Sequence, residues 1–260
     1  MDKKYEDHPV FQQVTEYAEF YKHLSFSVMG WITQGTKDAI VNIDSHVFSS
    51  IQGTLESIKD ILANGRINDS YALLRKLHDS IIINVYTNLY LDDNFSIENF
   101  VVDKINDWLH GKEKLPEYRV MSDYIRKSEK LTEMNKLLLK DIRYREIRNR
   151  CNDHIHYNFH QYLLLNNNQI FLKNRIALLN LFSKDLENLF ILHLAYLFYL
   201  KDQYMMSSDY ADSMDLGLTP EEGSQYFVAP FIQETFDKVI KKNRMDLATE
   251  IKNNTAMMLK

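Results

Sequence analysis

The sequence predicts an all-α protein, and three observations predict it. Glycine and proline number only 7 and 4 among 260 residues, well under half their usual frequencies of about 7% and 5%, whereas sheets joined by tight turns use both freely. No proline stands between Pro116 and Pro220, and no glycine between Gly111 and Gly217. Apolar residues recur at helical spacing through most of the chain. With 45% apolar residues, 26% charged residues and 14 Phe, 16 Tyr and 2 Trp, the chain can bury a large core, which excludes disorder as its main state. No linker-like stretch interrupts it, so residues 1–260 read as one bundle-like helical domain with long antiparallel helices.

The elements follow in order. The first strong helix is expected from about Thr36 to Asn64, because Ile40, Ile43, Val47, Ile51, Leu55, Ile58 and Leu62 form one stripe. Asn64-Gly65 supplies its C-cap. Asn68 can cap a second helix through about Leu91, with Tyr71, Leu74, Leu77, Ile81, Val85 and Leu89 as its stripe. So short a turn folds the two into an antiparallel hairpin. Ser96 to His110 reads as a shorter helix, residues 111–116 as a loop, and Met121 to Arg126 as another short helix. Leu131, Met134, Leu138 and Ile142 begin a long helix running into an arginine-rich segment, and Leu165 to Gln169 is a polar break. Arg175 to Tyr204 is a central, buried helix. Thr219-Pro220-Glu221-Glu222 has the signature of a helix start. Pro230 is expected to break or kink that helix, and Phe231 to Met258 to form the last one.

Charge and targeting signals bound the function. The net charge of −5 argues against a uniformly basic nucleic-acid binder but leaves a local basic patch open. The single cysteine, Cys151, precludes an intramolecular disulfide and suits a reducing cytosol. Residues 1–8 hold no apolar core for a signal peptide. The most apolar run, Leu189 to Leu200, is interrupted by His193 and falls short of the about 20 residues of a membrane span. A soluble cytoplasmic protein with no membrane contact is the expectation.

Phosphate loops, dinucleotide fingerprints, nucleophile elbows, His-Glu-x-x-His and paired-cysteine zinc motifs are absent. One segment departs from the rest. Residues 143–160 hold Arg143, Arg145, Arg148 and Arg150, the only cysteine, and His154, His156 and His160. On a helix, Arg148, Asn152 and His156 share one face, and Arg150 and His154 pair one turn apart on a neighbouring face. Arginine can bind two phosphate oxygens through its planar fork. Histidine can take a proton from a ribose 2′-hydroxyl or give one to a leaving oxygen. Together they could cleave RNA without a metal. The same residues could instead form a solvated helix end, and Cys151, His154, His156 and His160 offer a metal version that matches no established zinc spacing.

Arg148-Asn149 followed by four residues and His154 resembles the Arg-x4–6-His motif of the HEPN superfamily; Arg150 to His156 repeats the separation. The helical pair containing Asn68-Asp69-Ser70-Tyr71-Ala72-Leu73-Leu74-Arg75-Lys76 is similar to the first helix pair of such domains. The resemblance implies a HEPN-like core over about 36–205 with a C-terminal helical extension over 206–260. It implies a metal-independent endoribonuclease of a toxin or phage-defence system, needing no cofactor. Arg148 would then bind phosphate, Asn149 would be its polar partner and His154 the base. Arg150 and His156 form the alternative pair, and Arg143 and Arg145 would hold RNA. It also implies a homodimer whose two motifs meet at a shared cleft, and an antitoxin or defence-system partner protein. The competing reading is a non-catalytic helical partner-binding or regulatory protein whose Arg/His segment is structural.

Other polar residues have plainer expectations. Cys151 reads as a small buried or semi-buried thiol, His193 as a hydrogen-bonded core histidine, and Met257-Met258 as packing residues. Arg75 and His78 read as surface charge, unless the hairpin packs beside Arg148. Tyr204 to Ser213 reads as a polar helix exit.

Overall fold

A computed structural model describes residues 3–37, 42–170 and 172–260, and among them every regular element is helical. In chain order the α-helices are α1 (Lys3–Glu6), α2 (Val10–Val28), α3 (Ile43–Ala63), α4 (Ile67–Asn94), α5 (Asp103–Leu109), α6 (Tyr118–Lys127) and α7 (Thr132–Leu138). They continue with α8 (Arg143–Ile155), α9 (His160–Leu164), α10 (Arg175–Leu200), α11 (Asp209–Asp215), α12 (Pro230–Thr235) and α13 (Met245–Asn254). Asp202–Met205 and Ser224–Tyr226 are 3₁₀ turns, and Phe236–Lys241 is π-helical. One isolated antiparallel bridge joins Met206 and Val228. The all-α expectation holds. No helix among the described residues is long and apolar enough to cross a membrane.

The chain divides into two compact units, each drawn from three stretches: Met1–Ser25, Asp44–Ile82 and Asp141–Phe190 form one; Phe26–Ile43, Ile83–Lys140 and Ile191–Lys260 form the other. In the first unit the predicted stripes are buried at Ile51, Leu55, Ile58 and Leu62 on α3 and at Tyr71, Leu74, Leu77 and Ile81 on α4, while Val47 is only half-buried. Between these helices Gly65 takes φ 74°. Its N–H donates to the Leu62 carbonyl at 2.8 Å, and the Arg66 N–H reaches back to the Ile61 carbonyl at 3.1 Å. This is a Schellman close, which needs a residue free of the left-handed penalty at that position. An aromatic cluster packs around Phe190: Tyr17 stacks on it at 3.8 Å, while Phe20 and Tyr21 meet it edge-on. His8 closes the start of α2. Val10 N–H donates to His8 Nδ1, so Nε2 carries the proton and donates to Asn180 Oδ1 at 3.0 Å.

In the second unit some buried polar residues pair with each other or with backbone carbonyls, while Thr36 Oγ1 and Ser224 Oγ are buried without a hydrogen bond. His193 Nε2–H donates to Asn84 Oδ1 at 2.8 Å, and burial lowers the His193 pKa to about 3. It is the hydrogen-bonded core histidine expected. Asn135 donates to the Ile125 carbonyl and accepts from the Tyr196 hydroxyl at 2.7 Å. Ile191 through Phe198 are all buried, so this stretch of α10 is covered all round, as its high hydropathy predicts. Met257 is buried but Met258 is exposed.

Several boundaries differ from expectation. The helix expected from Thr36 begins at Ile43; Thr36 and Lys37 are a bend and a turn, and Ile40 lies outside the described residues. The Ser96–His110 helix shrinks to α5, because Ser96 and Asn99 exchange backbone hydrogen bonds in a tight turn. The long helix from Leu131 breaks after Leu138. Asp141 Oδ1 accepts the Arg143 N–H at 3.0 Å and so starts a new helix, α8. Asn68 is not a cap: the helix starts at Ile67, and the Asn68 side chain reaches another element. No helix starts at Thr219-Pro220, where Gly223 at φ 80° turns the chain away. Pro230 begins α12 at its first turn instead of breaking a helix. The last helix is divided at Arg244, whose backbone leaves the helical region and whose guanidinium pairs with Asp246 and the Leu137 carbonyl.

Candidate functional site

The arginine-rich segment is α8, in the first unit, and its side chains distribute by helical phase. The phase buries Tyr144, Ile147, Cys151 and His154. Next to this apolar line, polar residues form a ladder with α4. Arg148 Nη1 donates to Asp79 Oδ1 at 2.7 Å, Arg75 Nη1 donates to Asn152 Oδ1, and His154 Nδ1–H donates to Asn68 Oδ1 at 2.9 Å. Positions rise along α8 as they fall along α4, so the two helices run antiparallel here. Arg75 and His78 thus do face the Arg148 region. His78 is 1% exposed; burial, then the Arg148 and Arg75 charges, lower its pKa to about 3.

A second set of rungs meets α10. Arg150 forms a two-pronged pair with Asp185 at 2.7 and 2.8 Å, and Arg143 Nη1 donates to Asn188 Oδ1 at 3.2 Å while its other nitrogens hold Asp141. Asp185 is almost fully buried, and burial raises its carboxyl pKa; the hydrogen bonds to Asp185 in turn raise that of Arg150. Cys151 is fully buried, and burial pushes its thiol up to about 12. That is the thiol expected from the sequence, and not a low-pKa nucleophile.

The two candidate histidines have opposite environments. His154 is 1% exposed and lies between two aromatic rings: Tyr71 of α4 stacks on it at 3.9 Å and 15°, Tyr162 of α9 at 3.9 Å and 22°. Because an amide oxygen can only accept, the Asn68 bond fixes the proton on Nδ1 and leaves the lone pair on Nε2. Burial, then the Arg150 charge, lower its pKa to about 4, so it is neutral at pH 7. His156 caps the C-terminal end of α8 and is exposed. Arg145 and Asn149 are exposed as well, and at positions 145, 149 and 156 they share one solvent-facing strip with His156. Tyr157, Phe159 and His160 continue that surface past the helix end.

The structure therefore separates the sequence-predicted residues into three sets. Arg143, Arg148 and Arg150 are held by carboxylates, His154 is enclosed, and Arg145, Asn149 and His156 face water. Cys151 and His154 are buried while His156 and His160 are exposed, so these four do not converge. No group of three or more His, Cys, Asp or Glu side chains able to hold a metal occurs among the described residues. Sequence reasoning missed Asp79, Asp185 and Tyr162, and read Asn68 as a helix cap. Asp79 had a signal, standing one turn after Arg75, and so did Asp185, a carboxylate in an otherwise apolar stripe. Tyr162 had none.

Fold and site together define an all-α protein built around a polar ladder of arginine and histidine, with one edge of the ladder helix open to solvent. No protein-family model, curated protein or solved structure matches the chain.

Proposed function

We propose that this is a HEPN-like RNA-binding protein that cleaves RNA without a metal ion, acting as a homodimer. The observation that carries the reading is the solvent-facing strip of α8. Arg145 offers charge, Asn149 an amide and His156 an imidazole, and exposed Tyr157 and Phe159 follow directly. Cationic and amide groups suit phosphate and sugar, and aromatic faces suit unstacked bases. Of the two registers, Arg150 with His156 is favoured, because a base must reach the proton it takes and only His156 is exposed.

In the reaction the 2′-hydroxyl gives its proton to His156, and the 2′-oxygen bonds to phosphorus. The bond from phosphorus to the 5′-oxygen breaks, and water protonates that oxygen. The products are a 2′,3′-cyclic phosphate and a 5′-hydroxyl. Arg150, 26% exposed beside Asp185, neutralises the phosphate charge. On this reading the protein works in the cytosol within a toxin or phage-defence system, beside an antitoxin or defence partner.

The test incubates purified protein with total RNA and a 2′-deoxy-substituted control, with and without EDTA. The expected result is EDTA-resistant cleavage of RNA alone, lowered about 10²–10⁴-fold by His156→Ala. Cleavage of the deoxy control, or activity abolished by EDTA, rejects the mechanism. If His154→Ala is inactive and His156→Ala is not, the register is Arg148 with His154.

One observation favours a second reading. The pairs Arg148–Asp79 and Arg150–Asp185 satisfy two guanidinium groups internally, as in a non-catalytic partner-binding protein whose Arg/His segment is structural. Absence of both cleavage and RNA binding in a folded homodimer would put that reading ahead.

A further inference from the structure

We infer that residues 157–164 form a strap that lies over His154 and opens and closes as a unit, with Tyr162 as its latch. The inference concerns access to one imidazole and stands whether or not the protein acts on RNA.

The strap is tied at both ends and free between them. At its start the Asn158 N–H donates to the Asp153 carbonyl at 3.0 Å, and Asn158 Nδ2 to Asp153 Oδ1 at 2.7 Å. Just past its end, buried Leu165 accepts the Ile67 N–H through its carbonyl, and Asn166 exchanges hydrogen bonds with Asp69. Between these anchors α9 buries no residue at all. Phe159 and Leu163 are about half exposed. Tyr162 makes the strap's stacking contact with the rest of the unit, ring on ring with His154.

The hinge is visible in the backbone. Tyr157 adopts φ 50°, and it is the one non-glycine at positive φ among the described residues. A bulky side chain there costs about 1–2 kcal/mol, and such strain gathers at switch segments. A five-residue helix has little stability of its own. Its closed state therefore depends on tertiary contact, which the Tyr162 ring supplies.

Opening has a defined chemical consequence. It uncovers one face of an imidazole already oriented by Asn68, with its lone pair on Nε2 and Arg150 one turn away on the same helix. Tyr71 stays on the other face, because it belongs to α4 and is fully buried. The strap thus governs solvent access to the ring of a neutral core histidine without rearranging α8.

The test uses the full chain at neutral pH and diethyl pyrocarbonate, with peptide mapping to read each histidine. His156 and His160, both exposed, are internal references. In the wild type His154 should react far more slowly than either. Tyr162→Ala should speed His154 modification about tenfold, the shift that loss of one aromatic contact produces, and Tyr162→Phe should leave it slow. A rate for His154 unchanged by Tyr162→Ala, or already equal to that of His156 in the wild type, overturns the inference. Hydrogen exchange on the wild type tests the same point without a variant. Amides of 160–164 should exchange much faster than those of 71–78 in α4, and equal protection would overturn the strap. RNA cleavage enters neither readout, so the two proposals fail separately.

Discussion

Replacing Asp185 with asparagine removes one charge from the Arg150 pair and changes almost no volume. The pair is close, at 2.7 and 2.8 Å, and its carboxylate side chain is only 3% exposed. At 2.7 Å and an effective dielectric of about 20 the gross attraction is about 6 kcal/mol. Most of that is offset by the desolvation both ions undergo on folding. What Asp185→Asn exposes is the uncompensated desolvation of Arg150, about 3–5 kcal/mol for a fully buried partner. Arg150 keeps 26% of its side-chain surface and can turn toward water, so the expected loss is about 2–3 kcal/mol. Urea denaturation followed by circular dichroism measures it, alongside Arg150→Met and the double variant Arg150→Met/Asp185→Asn. The double variant should be more stable than the two single losses added together, with a coupling of about 1 kcal/mol or more. Strict additivity, or a loss below about 0.5 kcal/mol for Asp185→Asn, would refute the view that α8 is locked to α10 by this pair.

Two further outcomes follow from buried groups. His78, His154 and His193 have folded pKa values lowered to about 3, 4 and 3, against about 6.5 when unfolded. The unfolded chain therefore binds more protons at acid pH. Stability is full above about pH 6.5 and falls as pH drops toward 4, by up to about 4 kcal/mol per pH unit near pH 5 from these three groups. Asp185, raised by burial, opposes this in the carboxylate range. Denaturation midpoints that stay flat between pH 6.5 and 4.5 would contradict the burial of these histidines. Cys151, fully buried with its thiol pushed up to about 12, should resist Ellman's reagent in the native protein and react fully in urea. Prompt reaction under native conditions would show that α8 does not pack as described.

The sequence by itself determined the helical class, the Gly65 close between α3 and α4 with most of the apolar stripes of those helices, the buried stretch of α10 and the burial of Cys151. These are local properties: apolar spacing, glycine tolerance of positive φ and high local hydropathy act within a few residues of chain. It also singled out α8, because clustering of arginine and histidine is visible in one dimension. Tertiary structure alone decided what those side chains do. Helical phase places Arg148 and Asn152 on one face, but only the approach of α4 brings Asp79 and Arg75 to meet them, from about seventy residues away. His154 and His156 differ by two positions and look alike in sequence. One is sealed between Tyr71 and Tyr162, the other stands in water. The helix breaks at Asp141 and Arg244 escaped prediction for the same reason: each rests on a side chain choosing a backbone partner over continued helix, and propensity does not encode that choice. Accessibility and pKa depend on what lies within a few ångströms in space, and only the packing of distant segments sets those neighbours.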